Sequence, residues 1–121
     1  MKKCLVVDDN ANNRMVARFI MEDLGFTTEE VGAADEAAAL LVVEDFDVVL
    51  LDWMMPQMDG VDYLTRLRQD ERLKDVKVII CSAKERDANL ATVMNAGANG
   101  FIAKPLTLDV VEKQLKELGL L

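Results

Sequence analysis

The chain has no histidine, two cysteines, two prolines and one tryptophan among 121 residues. Without histidine, and with Cys4 and Cys81 both inside predicted strands, a Cys/His zinc site is excluded. Positive charge is also scarce: Lys and Arg number 14 against 22 Asp and Glu, for a formal charge of -8. Phosphate backbones and anionic membranes would be repelled, so neither nucleic acid nor a lipid surface is an expected partner. No apolar run is long enough to span a bilayer, and Met1-Lys2-Lys3 leads straight into a strand instead of a signal-peptide apolar region. A soluble, cytoplasmic, monomeric protein is expected. Linkers, repeats and low-complexity tracts are absent too, and a chain of this length buries about two-thirds of its unfolded surface. One domain over 1–121 is the expectation.

What is present is organised around Val48-Val49-Leu50-Leu51-Asp52, followed by Trp53-Met54-Met55-Pro56-Gln57-Met58-Asp59-Gly60. The apolar run has no polar alternation, which predicts a strand buried on both faces of a parallel sheet. Pro56 and Gly60 mark a loop after it, so Asp52 stands at the strand's carboxyl end, where open α/β sheets bind ligands.

The rest of the chain alternates around that strand. Lys3 to Asp8 is a first strand, and Met15, Val16, Phe19, Ile20 and Leu24 recur at helical spacing before Gly25, a left-handed C-cap. Phe26 to Val31 is a second strand whose polar interior, Thr27-Thr28-Glu29-Glu30, suits a sheet edge. Asp35 is placed to cap a second helix through Glu44, with Ala37 to Leu41 as its core face. Val61, Leu64 and Leu67 mark a third helix, Val76 to Cys81 a fourth strand, and Leu90, Val93 and Met94 a fourth helix ended by Gly97. Gly100 to Ala103 is a fifth strand, and a last helix from about Thr107 carries Leu108, Val111, Leu115 and Leu118. Five strands alternating with five helices imply right-handed crossovers and an α/β, doubly wound parallel sheet. The polar second strand and apolar first and third suit the flavodoxin-like order 2-1-3-4-5. That order separates Cys4 and Cys81 by about 10 Å or more, too far for a disulfide.

Asp8, Asp9, Asp52, Ser82 and Lys104 all fall at carboxyl ends of predicted strands, on one edge of that sheet. Carboxylates gathered there repel one another, a cost that a hard divalent cation removes by taking their oxygens as ligands. Mg²⁺ takes few carboxylates and shares its remaining positions with water and a phosphoryl oxygen. Lys104 can meet a second phosphoryl oxygen and the Ser82 hydroxyl a third, leaving Asp52 as a carboxylate nucleophile toward phosphorus. Simpler roles stand beside these. Asp9 or Asn10 suits the N-cap of the first helix, Ser82 with Glu85 fits a capping box, and Lys104 before Pro105 fits a solvated loop. The Met54, Met55 and Met58 cluster suits flexible packing, and Phe101 an ordinary core position.

Val6-Val7-Asp8-Asp9-Asn10, Leu51 to Gly60, Ser82-Ala83 and Gly97 to Pro105 together, in order, resemble the receiver domain of two-component response regulators, of the single-domain CheY-like type, over the whole chain. The resemblance implies phosphorylation of Asp52 by a histidine kinase, with Mg²⁺ held by Asp8, Asp9, Asp52 and the Met54 carbonyl. It implies a cis Lys104–Pro105 bond, which only an X-Pro peptide adopts at low energetic cost. It further implies that Ser82 and Phe101 act as the switch, altering a protein-binding face formed by the fourth helix, fifth strand and fifth helix. Many relatives carry Tyr where this chain has Phe101, so an outward ring here would present only apolar surface. By the same resemblance, Met54 and Lys84 are expected to occupy variable positions that flank the phosphoryl group and tune its lifetime.

The reading that follows is a stand-alone phosphorylation switch, not an enzyme on other substrates although it takes part in its own phosphorylation and dephosphorylation, signalling through protein contacts in chemotaxis and flagellar motor control. A phosphorelay shuttle, phosphate sink or cell-cycle adaptor would use the same chemistry. A flavodoxin-like cofactor binder would want a loop of backbone donors where Asp8-Asp9 stands. A Mg²⁺-dependent aspartyl-phosphate phosphohydrolase would want cap insertions for which this chain has no spare residues.

Overall fold

The computed structural model describes residues 2–56 and 58–121; Met1 and Gln57, the latter part of the receiver-like stretch, lie outside the described residues. In chain order the elements are β1 (Lys3–Val7), α1 (Ala11–Asp23), β2 (Thr27–Val31), α2 (Ala34–Val43), β3 (Val48–Asp52), the short pair β4 (Met54–Met55) and β5 (Met58–Asp59), α3 (Gly60–Leu67), β6 (Lys77–Ser82), α4 (Arg86–Asn95), β7 (Gly100–Ala103) and α5 (Leu108–Glu117).

Five strands form one sheet in the order β2-β1-β3-β6-β7, every pairing parallel. This is the 2-1-3-4-5 order of the CheY-like flavodoxin fold, since β4 and β5 make a separate antiparallel ribbon just after Asp52. β3 is buried along its whole length and β2, with its exposed Thr27 and Glu29, lies at the edge. Alternation divides the apolar side chains between two layers. Leu5, Val7, Val49, Leu51, Val78, Ile80 and Phe101 pack with residues of α2, α3 and α4. Val6, Val48, Leu50, Ile79 and Ile102, with both cysteines, pack with residues of α1 and α5. Cys4 and Cys81 are buried free thiols.

Several helix faces differ from the pattern in the sequence. Met15, Val16 and Phe19 are exposed, and α1 buries Ala17 and Met21 instead. Ala17 and Met21 share one stripe with the partly buried Ile20 and Leu24, and 100° per residue places Met15 and Phe19 on the side opposite to it. Leu108 and Met94 are also exposed, whereas Val93, Val111 and Leu115 are fully covered. Asp35 is not the cap of α2. The helix begins one residue earlier, after Ala33, so Asp35 sits in the first turn beside Glu36, where the helix dipole favours acidic groups. Gly25 and Gly97 adopt φ of +93° and +110°, the left-handed conformation that ends α1 and α4.

Candidate functional site

Two strand ends bring the acidic residues together. β1 delivers Asp8 and Asp9, and β3, its hydrogen-bonded neighbour, delivers Asp52. One carboxylate oxygen from each lies within 4.8 Å of the others. Asp8 and Asp52 are buried, while Asp9 faces solvent. The N-cap of α1 is Asn10, whose side chain accepts from the Asn13 amide at 3.0 Å, so Asp9 is released from that structural role. Asp8 Oδ1 in turn accepts from the Asn10 amide at 2.9 Å, which orients the carboxylate.

Lys104, just past β7, reaches this cluster. Its Nζ donates to Asp8 Oδ2 at 2.7 Å and to Asp52 Oδ1 at 3.1 Å. Burial alone would lower the Lys104 pKa, but the hydrogen bond to Asp8 and the charges of Asp52 and Asp8 outweigh it and the net shift is upward. Asp52 also titrates above its ordinary value. Burial is the main cause, Asp8 adds to it, and Lys104 opposes both. The Lys104 amide donates to the Ser82 carbonyl at 2.7 Å, and the Lys104–Pro105 bond is cis.

Ser82 is the last residue of β6 and fully buried. Its Oγ accepts from the Lys84 amide at 3.0 Å, closing a tight turn. The capping box with Glu85 does not form, because α4 begins only at Arg86 and Glu85 makes no side-chain cap. Phe101, one strand away, points inward at 1 % exposure with its ring edge-on to Trp53, centroids 6.2 Å apart. Met54 is exposed on the rim, and the Lys84 ammonium lies 3.8 Å from the centre of the Trp53 ring.

Supporting residues lie outside the sequence reading. Arg14 donates from Nη1 to the Asp8 carbonyl at 2.7 Å and from Nε to Glu30 at 3.3 Å, bracing β1's end against β2. Asp59 caps α3 by accepting from Val61 and Asp62 amides, and also accepts from Trp53 Nε1 at 3.2 Å. Asp59 before Gly60 and the α3 apolar positions carried an N-cap signal; Arg14 carried none, since a long side chain's reach depends on the fold.

Metal ions fit this arrangement chemically. The three carboxylates offer hard oxygen donors in one small volume, and a single lysine leaves them incompletely neutralised. The fold and site together define a doubly wound α/β domain with an acidic pocket at the carboxyl edge of a parallel sheet. The description "Response regulator receiver domain" matches residues 4–116, and the chain belongs to that family. It is 35% identical over 117 residues to chemotaxis protein CheY of Pseudomonas aeruginosa, covering 96% of this chain and 94% of that one. Against chemotaxis protein CheY-3 of Vibrio cholerae the identity is 36% over 117 residues, covering 96% and 90%. Among solved structures, Vibrio cholerae CheY4 superposes with a TM-score of 0.89 at 26% identity, over 97% of this chain and 98% of that chain. The receiver domain of Francisella response regulator 1452 gives 0.87 at 29% identity, over 98% and 96%. Receiver domains are signalling proteins of two-component systems, not ordinary enzymes; they generally bind Mg²⁺ at an acidic pocket and work between a phosphodonor histidine kinase and a downstream target. No helix among the described residues is long and apolar enough to cross a membrane.

Proposed function

We propose that this chain, as one receiver unit over 1–121, is a phosphorylation switch of the chemotaxis type. Asp52 is the phosphoacceptor. Its carboxylate attacks phosphorus of a kinase phosphohistidine; the P–N bond breaks, an acyl phosphate P–O bond forms, and the electron pair leaves with the imidazole. Asp8, Asp9, Asp52 and the Met54 carbonyl would hold Mg²⁺, which supplies charge neutralisation for the transferring group. Lys104 moves from pairing with carboxylates to pairing with a phosphoryl oxygen, and Ser82 offers its hydroxyl to another. Met54 shields the group from water without orienting any.

The observation that carries this reading is the convergence of three carboxylates within 4.8 Å with the Lys104 ammonium bonded to two of them. The output follows from Ser82 and Phe101, which stand on neighbouring strands beneath the α4, β7 and α5 face. Exposed Met94, Ala103 and Val110 supply apolar contact surface there for a phosphorylation-dependent protein partner. Chemotaxis is favoured by the names of the relatives.

Acetyl phosphate with Mg²⁺ should add one phosphoryl group by intact mass to the wild type and none to Asp52→Asn. Should no donor, small molecule or histidine kinase, modify Asp52, the switch reading is wrong.

A further inference from the structure

Asp8 is held at every polar group it carries. Its amide donates to the Val31 carbonyl at 3.2 Å, its Oδ1 accepts from the Asn10 amide at 2.9 Å and its Oδ2 from Lys104 Nζ at 2.7 Å. The remaining group, its carbonyl, accepts from Arg14 Nη1 at 2.7 Å. Asp9 is the opposite case. Its exposed carboxylate makes no hydrogen bond or ion pair among the described residues, yet it stands within 4.8 Å of ligand oxygens on Asp8 and Asp52.

One peptide unit joins these two residues. A peptide is planar, so the group that holds the Asp8 carbonyl also fixes the Asp9 amide and the point from which the Asp9 side chain leaves. Arg14 is that group, and it is itself braced. Its Nε donates to Glu30 Oε1 at 3.3 Å, the other oxygen of Glu30 is met by Arg18 at 3.4 Å, and the Arg14 amide donates to the Asn10 carbonyl at 3.0 Å. Room for the guanidinium comes from Gly32, where a Cβ would stand 3.1 Å from Nη1. A planar fork with donors on separate nitrogens serves a carbonyl and a carboxylate together in a fixed geometry that a single ammonium does not reproduce.

We infer that Arg14 is a positioning residue of the cation site, whose fork, set between the Asp8 carbonyl and Glu30, fixes the Asp8–Asp9 peptide and so presets the Asp9 carboxylate for a divalent cation. This deepens the switch reading and rests on it. Two effects of the guanidinium oppose each other. Its charge repels an incoming cation, although Glu30 offsets that charge. Its hydrogen bond removes the need to order Asp9 at the moment of binding. The second effect is the larger, so loss of Arg14 weakens cation binding where charge alone would tighten it.

The test titrates Mg²⁺ into the full chain as wild type, Arg14→Met and Arg14→Lys. Trp53 fluorescence reports binding, and urea unfolding without Mg²⁺ reports stability. Arg14→Met should bind Mg²⁺ about tenfold more weakly, as is usual when a group supporting a metal ligand is removed. Arg14→Lys keeps the charge but loses the fork, and should also bind more weakly than the wild type. In metal-free Arg14→Met the NMR order parameter of the Asp9 amide should fall, and saturating Mg²⁺ should restore it. A brace that only holds β1 against β2 would lower the urea midpoint and leave the Mg²⁺ affinity of the folded protein unchanged. Unchanged or tighter Mg²⁺ binding by Arg14→Met therefore overturns the inference. So does a lysine variant that binds like the wild type, since the fork is then not what holds the peptide. An Asp9 order parameter that does not fall in metal-free Arg14→Met overturns it as well. Failure of the switch reading itself looks different: the wild type then shows no Mg²⁺ response and gains no phosphoryl mass from acetyl phosphate, and the role of Arg14 at the cation site falls with it.

Discussion

The Lys104 ammonium stands 3.1 Å from Asp52 Oδ1 although 52 positions of chain separate them. The same nitrogen holds Asp8 Oδ2 at 2.7 Å, so a single cation bridges two buried carboxylates on adjacent strands. Removing it leaves like charges facing each other. Lys104→Met should lower stability in the absence of divalent cation by about 1–3 kcal/mol. It should also tighten Mg²⁺ binding, because a competing positive charge has gone. Urea unfolding and a Mg²⁺ titration followed by Trp53 fluorescence read both effects.

Asp52 titrates above its ordinary value of 3.8 because burial and Asp8 disfavour its charge. A raised folded-state pKa means that its contribution to stability is fully present below 3.8 and is lost as pH rises through the raised value. Asp52→Asn never bears that charge. Without Mg²⁺ the variant should therefore melt higher than the wild type at neutral pH, with the gap narrowing as pH falls toward 3.8. Mg²⁺ should close the gap at neutral pH by stabilising the wild type more. Thermal melts across pH, with and without Mg²⁺, check each sign.

Gly60 closes the loop after Asp52, and its amide donates to the Trp53 carbonyl at 2.7 Å. A Cβ there would run into the Asp52 carbonyl oxygen and would meet Trp53 Cα at 2.9 Å, both backbone atoms that cannot swing away. Gly60→Ala should cost about 1–3 kcal/mol and displace Asp52. Weaker Mg²⁺ binding together with a lower urea midpoint is the expected pair of results.

Phe101 fills the interior beneath Trp53 at 1 % exposure. Truncation to alanine should cost about 3–5 kcal/mol through lost burial and the cavity left behind. Because the ring edge meets the indole, Trp53 emission should also move to longer wavelength as water approaches. Phe101→Leu should recover most of the stability, and denaturation with emission spectra separates the two effects.

Much of the fold was legible in the chain because its signals are local. The unbroken apolar run of Val48 to Leu51 announced a central strand, and the polar interior of β2 announced an edge, since backbone pairing leaves one side of an edge strand to solvent. Gly100 to Ala103 carried both its extent and its position in the alternation. Helix faces were less legible. Ala17 and Met21 cover the sheet while Phe19 faces out, because apolar residues stand on both sides of α1 and hydropathy alone does not say which stripe meets the sheet. Asp35 and Ser82 both had cap-forming side chains, yet the backbone entered each helix elsewhere, one residue before Asp35 and four after Ser82.

By itself the sequence determined which residues are the candidates for the chemistry: three aspartates, a serine and a lysine at strand ends, within an acidic chain lacking histidine. Periodicity and residue type are properties of neighbours along the chain, and they place each group at the end of its own strand. Only the tertiary structure decided how those ends meet. The bonds from Lys104 to Asp8 and Asp52, the Arg14 brace behind Asp8, and Lys84 laid on Trp53 depend on side chains reaching between elements distant in sequence. Such reach is set by strand order, loop geometry and packing, which no local pattern encodes.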